Sequence, residues 1–111
     1  MPDSEVESMS IGEVYFWKIL SAWGVTPEAA RQLLGESDGE WTKAQIETAE
    51  LVNGIYLNLR FLPPKQAHAW PRTLNDNPLF SGRPPLDLML TGIDGLETVL
   101  NFLKAQNGGP L

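Results

Sequence analysis

The sequence predicts an all-α fold, a compact bundle of five to six helices, on three grounds. Apolar residues recur three and four apart in several windows, and no segment alternates apolar and polar over five residues as a half-buried strand would. Helix-start signals follow one another along the chain, most with a glycine or proline stop behind them. The chain has 111 residues, 42% hydrophobic and 20% charged, the size and balance of one domain around one modest core.

Residues 1–9 carry no periodic apolar pattern and are expected to be a disordered acidic leader. Ser10-Ile11-Gly12-Glu13 fits a capping box, with Ser10 as N-cap and Glu13 reaching back. Val14, Phe16, Trp17, Leu20 and Trp23 follow at mostly helical spacing until Gly24. Thr26-Pro27-Glu28 opens a second helix with an N-cap, a proline at the first helical position and an acid against the dipole. Ala30, Leu33 and Leu34 form its apolar face, Gly35 stops it, and residues 36–41 read as a short acidic loop.

Thr42-Lys43-Ala44-Gln45 is a second capping box and starts the longest helix, reaching to the neighbourhood of Leu62. Its stripe of Ile46, Ala49, Leu51, Val52, Ile55, Tyr56, Leu59 and Leu62 is wider than a surface helix needs. That places the helix at the centre, and an apolar face too wide for one small domain to cover points to a homodimer. Pro63-Pro64 ends it and opens a short helix holding Ala67, His68 and Trp70. Residues 71–83 read as an ordered loop rich in Asn, Pro and Gly. Pro84 starts a helix carrying Leu86, Leu88, Met89 and Leu90, and Gly92 stops it. Asp94-Gly95-Leu96-Glu97 is expected to cap the final helix with Glu97 at N3, its apolar face being Leu96, Val99, Leu100 and Leu103. Residues 107–111 are expected to be a flexible arm.

Composition removes several kinds of chemistry. Without cysteine there is no disulfide, thiolate zinc site or cysteine nucleophile. The lone His68 excludes a site built on two imidazoles. No Ser or Asp motif frames it, so it reads as a partly buried ring packed near Trp70 rather than a general base. Neither metal-ligand spacing nor a phosphate-cradling glycine loop is present, so no cofactor is expected. No apolar run approaches the ~18 residues of a membrane span. The N-terminus lacks the basic and apolar regions of a secretory signal, which leaves the cytoplasm as the default compartment. The net charge is −6, and residues 1–50 hold ten acids and three bases, against four acids and five bases in residues 51–111. The first half cannot supply the clustered cations that phosphate binding needs.

Trp17, Trp23 and Trp70 sit in apolar surroundings and are expected in the core. Trp41 fits a hydrophobic staple onto Ile46, or an exposed interface anchor, with the staple favoured. Arg83, badly placed for a helix dipole, is expected to pin the 71–83 loop through Asp87 or a backbone carbonyl, or else to contact a partner.

Residues 67–92 run AHAWPRTLNDNPLFSGRPPLDLMLTG. This segment resembles the toxin-binding domain of the Xre/MbcA/ParS antitoxins. The resemblance rests on Ala67 and Trp70, on Asn77-Pro78-Leu79, on Gly82, Arg83, Pro85, Leu86, Asp87 and Leu88, and on Gly92 before the last helix. Gly54, Ile55, Tyr56 and Leu59 look like the family's central helix, and the likeness extends over residues 42–106. It implies a non-enzymatic antitoxin of a type II pair, with a cognate RES-type or related NAD-consuming toxin as partner. It further implies that the C-terminal end reaches the toxin's active site, which makes Phe102, Lys104, Gln106, Asn107, Gly108, Gly109, Pro110 and Leu111 candidate toxin-binding residues. Residues 10–41 look like a helix-turn-helix remnant, leaving 42–106 as the toxin-binding domain and 107–111 as the arm. No room remains for a recognition helix, and Glu36, Asp38 and Glu40 would repel phosphate. DNA binding by the free chain is therefore not expected; the alternative, a DNA-binding autorepressor of the Xre type, rests on residues 13–35.

Overall fold

The longest helix lies at the centre of the protein. A computed structural model describes residues 11–36 and 39–108, which form six α-helices. These are α1 (Ile11–Ala22), α2 (Pro27–Leu34), α3 (Lys43–Leu59), α4 (Pro64–Ala69), α5 (Pro85–Met89) and α6 (Ile93–Gln106), with short 3-10 turns at Trp70–Arg72 and Pro78–Phe80. The described residues contain no strand, and the all-α class read from the sequence is the class observed.

Local chemistry accounts for most boundaries. The Ser10 cap lies outside the described residues. α1 ends in a Schellman motif: the Val25 N–H donates to Leu20 O at 2.9 Å and the Gly24 N–H to Ser21 O at 3.0 Å. Gly24 takes φ 84°, which a side chain would resist. Thr26 caps α2, its Oγ1 accepting from the Ala29 N–H at 3.2 Å. At α3 both arms of the capping box form, Thr42 Oγ1 accepting from Gln45 N–H and Gln45 Oε1 from Thr42 N–H. Gln45 also donates from Nε2 to Gly35 O at 3.0 Å. This glutamine is 4% exposed, so one buried amide ties the end of α2 to the start of α3.

α6 begins earlier than the sequence suggests. Its N-cap is Gly92, at φ 131°, and no side chain caps it. Asp94 lies inside the first turn, and Glu97 is past N3. The open backbone of Gly92 lets the chain turn directly from α5 into α6, where the Leu96 N–H closes the first turn on Gly92 O. The 71–83 segment is likewise more regular than a loop, with its two 3-10 turns.

α3 packs between α1 and α6. It buries Ala49, Val52, Ile55 and Leu59 in one cluster with Phe16, Ile19, Leu20 and Trp23 from α1 and Leu96, Val99 and Leu103 from α6. α2 adds Ala30 and Leu34, and Phe80 and Met89 join from the 78–89 region. The predicted stripe of α3 is too broad: Ile46 and Tyr56 are exposed, while Gln45 and Thr48 are buried. Two flanking helices cover a narrower arc of α3 than eight apolar positions span. Trp23 is fully in the core, whereas Trp17 and Trp70 are only partly buried against it. The Arg72 side chain lies over Gly24, so its cation sits near the C-terminal end of α1 and joins the first helices to the Trp70–Arg72 turn.

The crossing of α5 and α6 is closer than any side chain allows. A Cβ on Gly95 would overlap the Leu88 carbonyl and the Thr91 hydroxyl. Gly95→Ala is therefore expected to destabilise the fold by about 2 kcal/mol. That should appear as a fall of about 10 °C in the midpoint of a thermal melt. An unchanged midpoint would show that α5 can move off α6 without loss.

Candidate functional site

The segment from α4 to α6 is organised around three aromatic rings. Trp70 meets Phe80 edge to face at 5.9 Å and stacks on Phe102 at 6.3 Å, and Phe80 meets Phe102 edge to face at 5.2 Å. The loop that delivers Phe80 is folded by its own amides. Asn75 Oδ1 accepts from the Asn77 N–H, and Asn77 Oδ1 accepts from the Leu79 N–H, each at 2.9 Å. Pro78 opens the 3-10 turn, Ser81 and Gly82 turn the chain back at positive φ, and the Asn75 N–H closes the loop on Arg83 O at 3.3 Å. Phe80 thereby points inward and Leu79 outward. Pro85 is buried and Leu86 partly so, which seats α5 on the same core.

Beside the rings lies a groove of about 430 Å³. Its apolar lining is Leu62, Ala69, Trp70, Phe102 and Leu103. Its polar lining consists of five carboxamides, Asn58, Gln66, Asn75, Gln106 and Asn107, and the Thr73 hydroxyl. No charged side chain lines it. Asn107 is held in place across the groove end: its Nδ2 donates to Asn58 O at 3.1 Å and to Asn58 Oδ1 at 3.2 Å. Asn58 is itself fixed by donating to Gly54 O at 2.9 Å. Such a site offers donors and acceptors beside aromatic surface, which suits binding of a partly apolar segment.

Of the candidate toxin-binding residues, Phe102, Gln106 and Asn107 meet at this groove together with Trp70. Lys104 is exposed on α6 outside the lining, Gly108 is exposed beyond Asn107, and Gly109, Pro110 and Leu111 lie outside the described residues. Asn58, Leu62, Gln66, Ala69, Thr73, Asn75 and Leu103 complete the groove and are absent from the sequence-based set. Nothing local to Asn58 signals that it meets Asn107, 49 positions away.

Three other expectations change. Trp41 is neither staple nor exposed anchor: it is half-buried, edge to face with Phe16 at 5.8 Å and Trp17 at 6.5 Å, while Ile46 faces solvent. Aromatic partners on α1 outcompete an aliphatic one on its own helix. His68 is exposed rather than packed, at the edge of a second hollow of about 320 Å³ lined also by Trp23, Tyr56 and Arg60. Arg83 does approach Asp87, at 4.0 Å, but the two side chains are 75% and 52% exposed. A pair that solvated contributes little, and the loop is pinned by the backbone of Arg83 instead.

The helical scaffold thus presents an uncharged, amide-rimmed groove. The sequence profile of the antitoxin Xre/MbcA/ParS C-terminal toxin-binding domain matches residues 49–109, more than half of the chain. The chain belongs to this antitoxin family, and the groove, the aromatic trio and α6 all fall within the matched region. No curated protein and no solved structure matches it. Among the described residues, no cluster of His, Asp or Glu could hold a metal ion, and no helix is long and apolar enough to cross a membrane.

Asn107→Ala removes the donor of both bonds to Asn58. Amide exchange at position 107 and at Gly108 should accelerate while exchange in the centre of α3 stays slow. Unchanged exchange at those two amides would show that the end of α6 is held by something else.

Proposed function

We propose that this protein is the antitoxin of a type II toxin–antitoxin pair and that it silences a RES-type, NAD-consuming toxin by placing its C-terminal end at the toxin's active site. The observation that carries the antitoxin reading is the match of residues 49–109 to the toxin-binding domain, and its insertion part is supported by the Asn107–Asn58 clamp at the rim of the groove. That clamp fixes the point from which the last residues of the sequence depart, next to the aromatic surface of Trp70 and Phe102. Phe102, Lys104, Gln106, Asn107 and Gly108 are assigned to the contact with the toxin together with Gly109, Pro110 and Leu111. Trp70, Asn77, Pro78, Gly82, Arg83, Pro85, Leu86 and Gly92 are assigned to shaping the domain. In this reading the protein acts by binding in the cytoplasm, without catalysis or cofactor, and works as a homodimer.

Co-expression with the neighbouring toxin should restore growth and the cellular NAD level. Removing residues 107–111 should weaken neutralisation by at least about tenfold, equivalent to about 1.4 kcal/mol of binding. Full neutralisation by the shortened chain would sink the insertion mechanism and leave the antitoxin role standing. A toxin that leaves NAD untouched would sink the RES assignment.

DNA binding by the free chain is not part of this reading. No helix is present among the described residues between α2 and α3, where Glu36 and Glu40 are exposed, and Glu28 is exposed beside Arg31 on α2. In a mobility-shift assay the chain alone should leave its upstream region unshifted; tight, salt-sensitive binding would overturn this expectation.

A further inference from the structure

The cations of this acidic chain gather in one stretch. Between Glu50 and Asp76 the sequence holds Arg60, Lys65, His68 and Arg72 and no acid, although the net charge of the whole is −6. The fold wraps that stretch around the second hollow, the one of about 320 Å³ bordered by α1, α3 and α4. Trp23, Leu59, Leu62 and Ala67 give it apolar walls, and Tyr56, Arg60 and His68 are its exposed lining. Lys65 is exposed on α4, and the Arg72 side chain lies over Gly24, next in the chain to Trp23. Among the described residues none of these four basic side chains has an ion-pair partner.

We propose that the acidic leader of the chain, residues 1–10, docks on this basic hollow by running back along α1. The leader carries Asp3, Glu5 and Glu7 and no Lys or Arg, so its side chains bring −3 to the +3 of Arg60, Lys65 and Arg72. Charge complementarity selects it over the other end of the chain, since the side chains of residues 107–111 are uncharged. Its reach is sufficient. α1 has twelve residues, which set Ala22 about 16 Å from Ile11. Ten extended residues cover about 33 Å. The surplus lets the chain reverse ahead of α1 and still carry Asp3 and Glu5 to the hollow at the far end of that helix.

The face of α1 along that route suits an acidic segment. Tyr15, Lys18 and Ala22 are exposed, three and four residues apart, so they share one side of the helix, and Ala22 belongs to the hollow. Lys18 is the one cation of α1, so the route offers Lys18 first and Arg60 at its end. Exposed ion pairs are individually weak. The tether makes a few of them sufficient, because a short linker holds the leader at an effective concentration in the millimolar range. Pro2 and Val6, beside Asp3 and Glu5, supply apolar side chains for the hollow. A partner with an acidic segment of its own reaches this surface only by displacing the leader. The inference stands independently of the identity of the toxin.

A spin label on the leader of the full chain tests it. The chain has no cysteine, so Ser4→Cys provides a single site for a nitroxide and leaves the charge of the leader unchanged. Paramagnetic broadening of amide signals should extend past the start of α1 to Trp23, Tyr56, Arg60 and His68. Arg60→Glu should reduce the broadening at Tyr56 and His68 at least about twofold, with an unchanged circular dichroism spectrum, since Arg60 is exposed. Neutralising the leader by Asp3→Asn, Glu5→Gln and Glu7→Gln should do the same without altering the folded surface. Salt at about 1 M, where the screening length is about 3 Å, should also do so. Broadening confined to the start of α1, or centred on another surface, would overturn the proposal. Broadening at the hollow that survives Arg60→Glu or the neutralised leader would overturn it equally.

Discussion

Burial of Val52, Ile55 and Leu59 in one cluster with Leu96, Val99 and Leu103 sets the position of the remaining elements. α3 and α6 are far apart in sequence, and what brings them together is apolar surface leaving water. Gly54 permits the approach, since a Cβ there would already press on Leu100 at 3.3 Å. Once α6 lies along α3, Phe102 is carried to Trp70, and Asn107 is carried to Asn58. Gly95 then decides how closely α5 follows. The groove is a by-product of this one helix pairing, completed by whatever the connecting segment places at its end.

Much of the scaffold could be read from the chain because its signals are local. Thr26-Pro27 and Thr42 with Gln45 state where helices begin through hydrogen bonds that close within three residues. Gly24 and Gly35 mark stops through backbone angles that belong to single residues. Where a start depended on a turn rather than a side chain, the reading failed. Asp94 is a better cap than Gly92 by residue type, yet the tight reversal between α5 and α6 needs the angles of Gly92. Trp41 failed for the opposite reason, its partners Phe16 and Trp17 being on another helix.

The site was legible only where sequence order and spatial order coincide. Phe102 and Gln106 lie one turn apart on α6 and Asn107 follows as its C-cap, so a reading that pointed to the end of the chain included all three. Asn58 and Gln66 carry no mark of their role, because an exposed amide on a helix costs little and means little until something is opposite it. Gln45 makes the same point from inside. Its capping bond was readable, but its bond to Gly35 O and its burial depend on where α2 ends.

The amide rim of the groove has one consequence for recognition. Carboxamides and a hydroxyl neither gain nor lose protons over the range in which carboxylates and imidazole change charge. They also hold no counterions for salt to displace. The pattern of donors and acceptors around Trp70 and Phe102 is therefore constant across acidity and ionic strength. In the proposed contact with a toxin, variation of affinity with pH or salt therefore enters through the partner or through the charged surfaces that surround the groove.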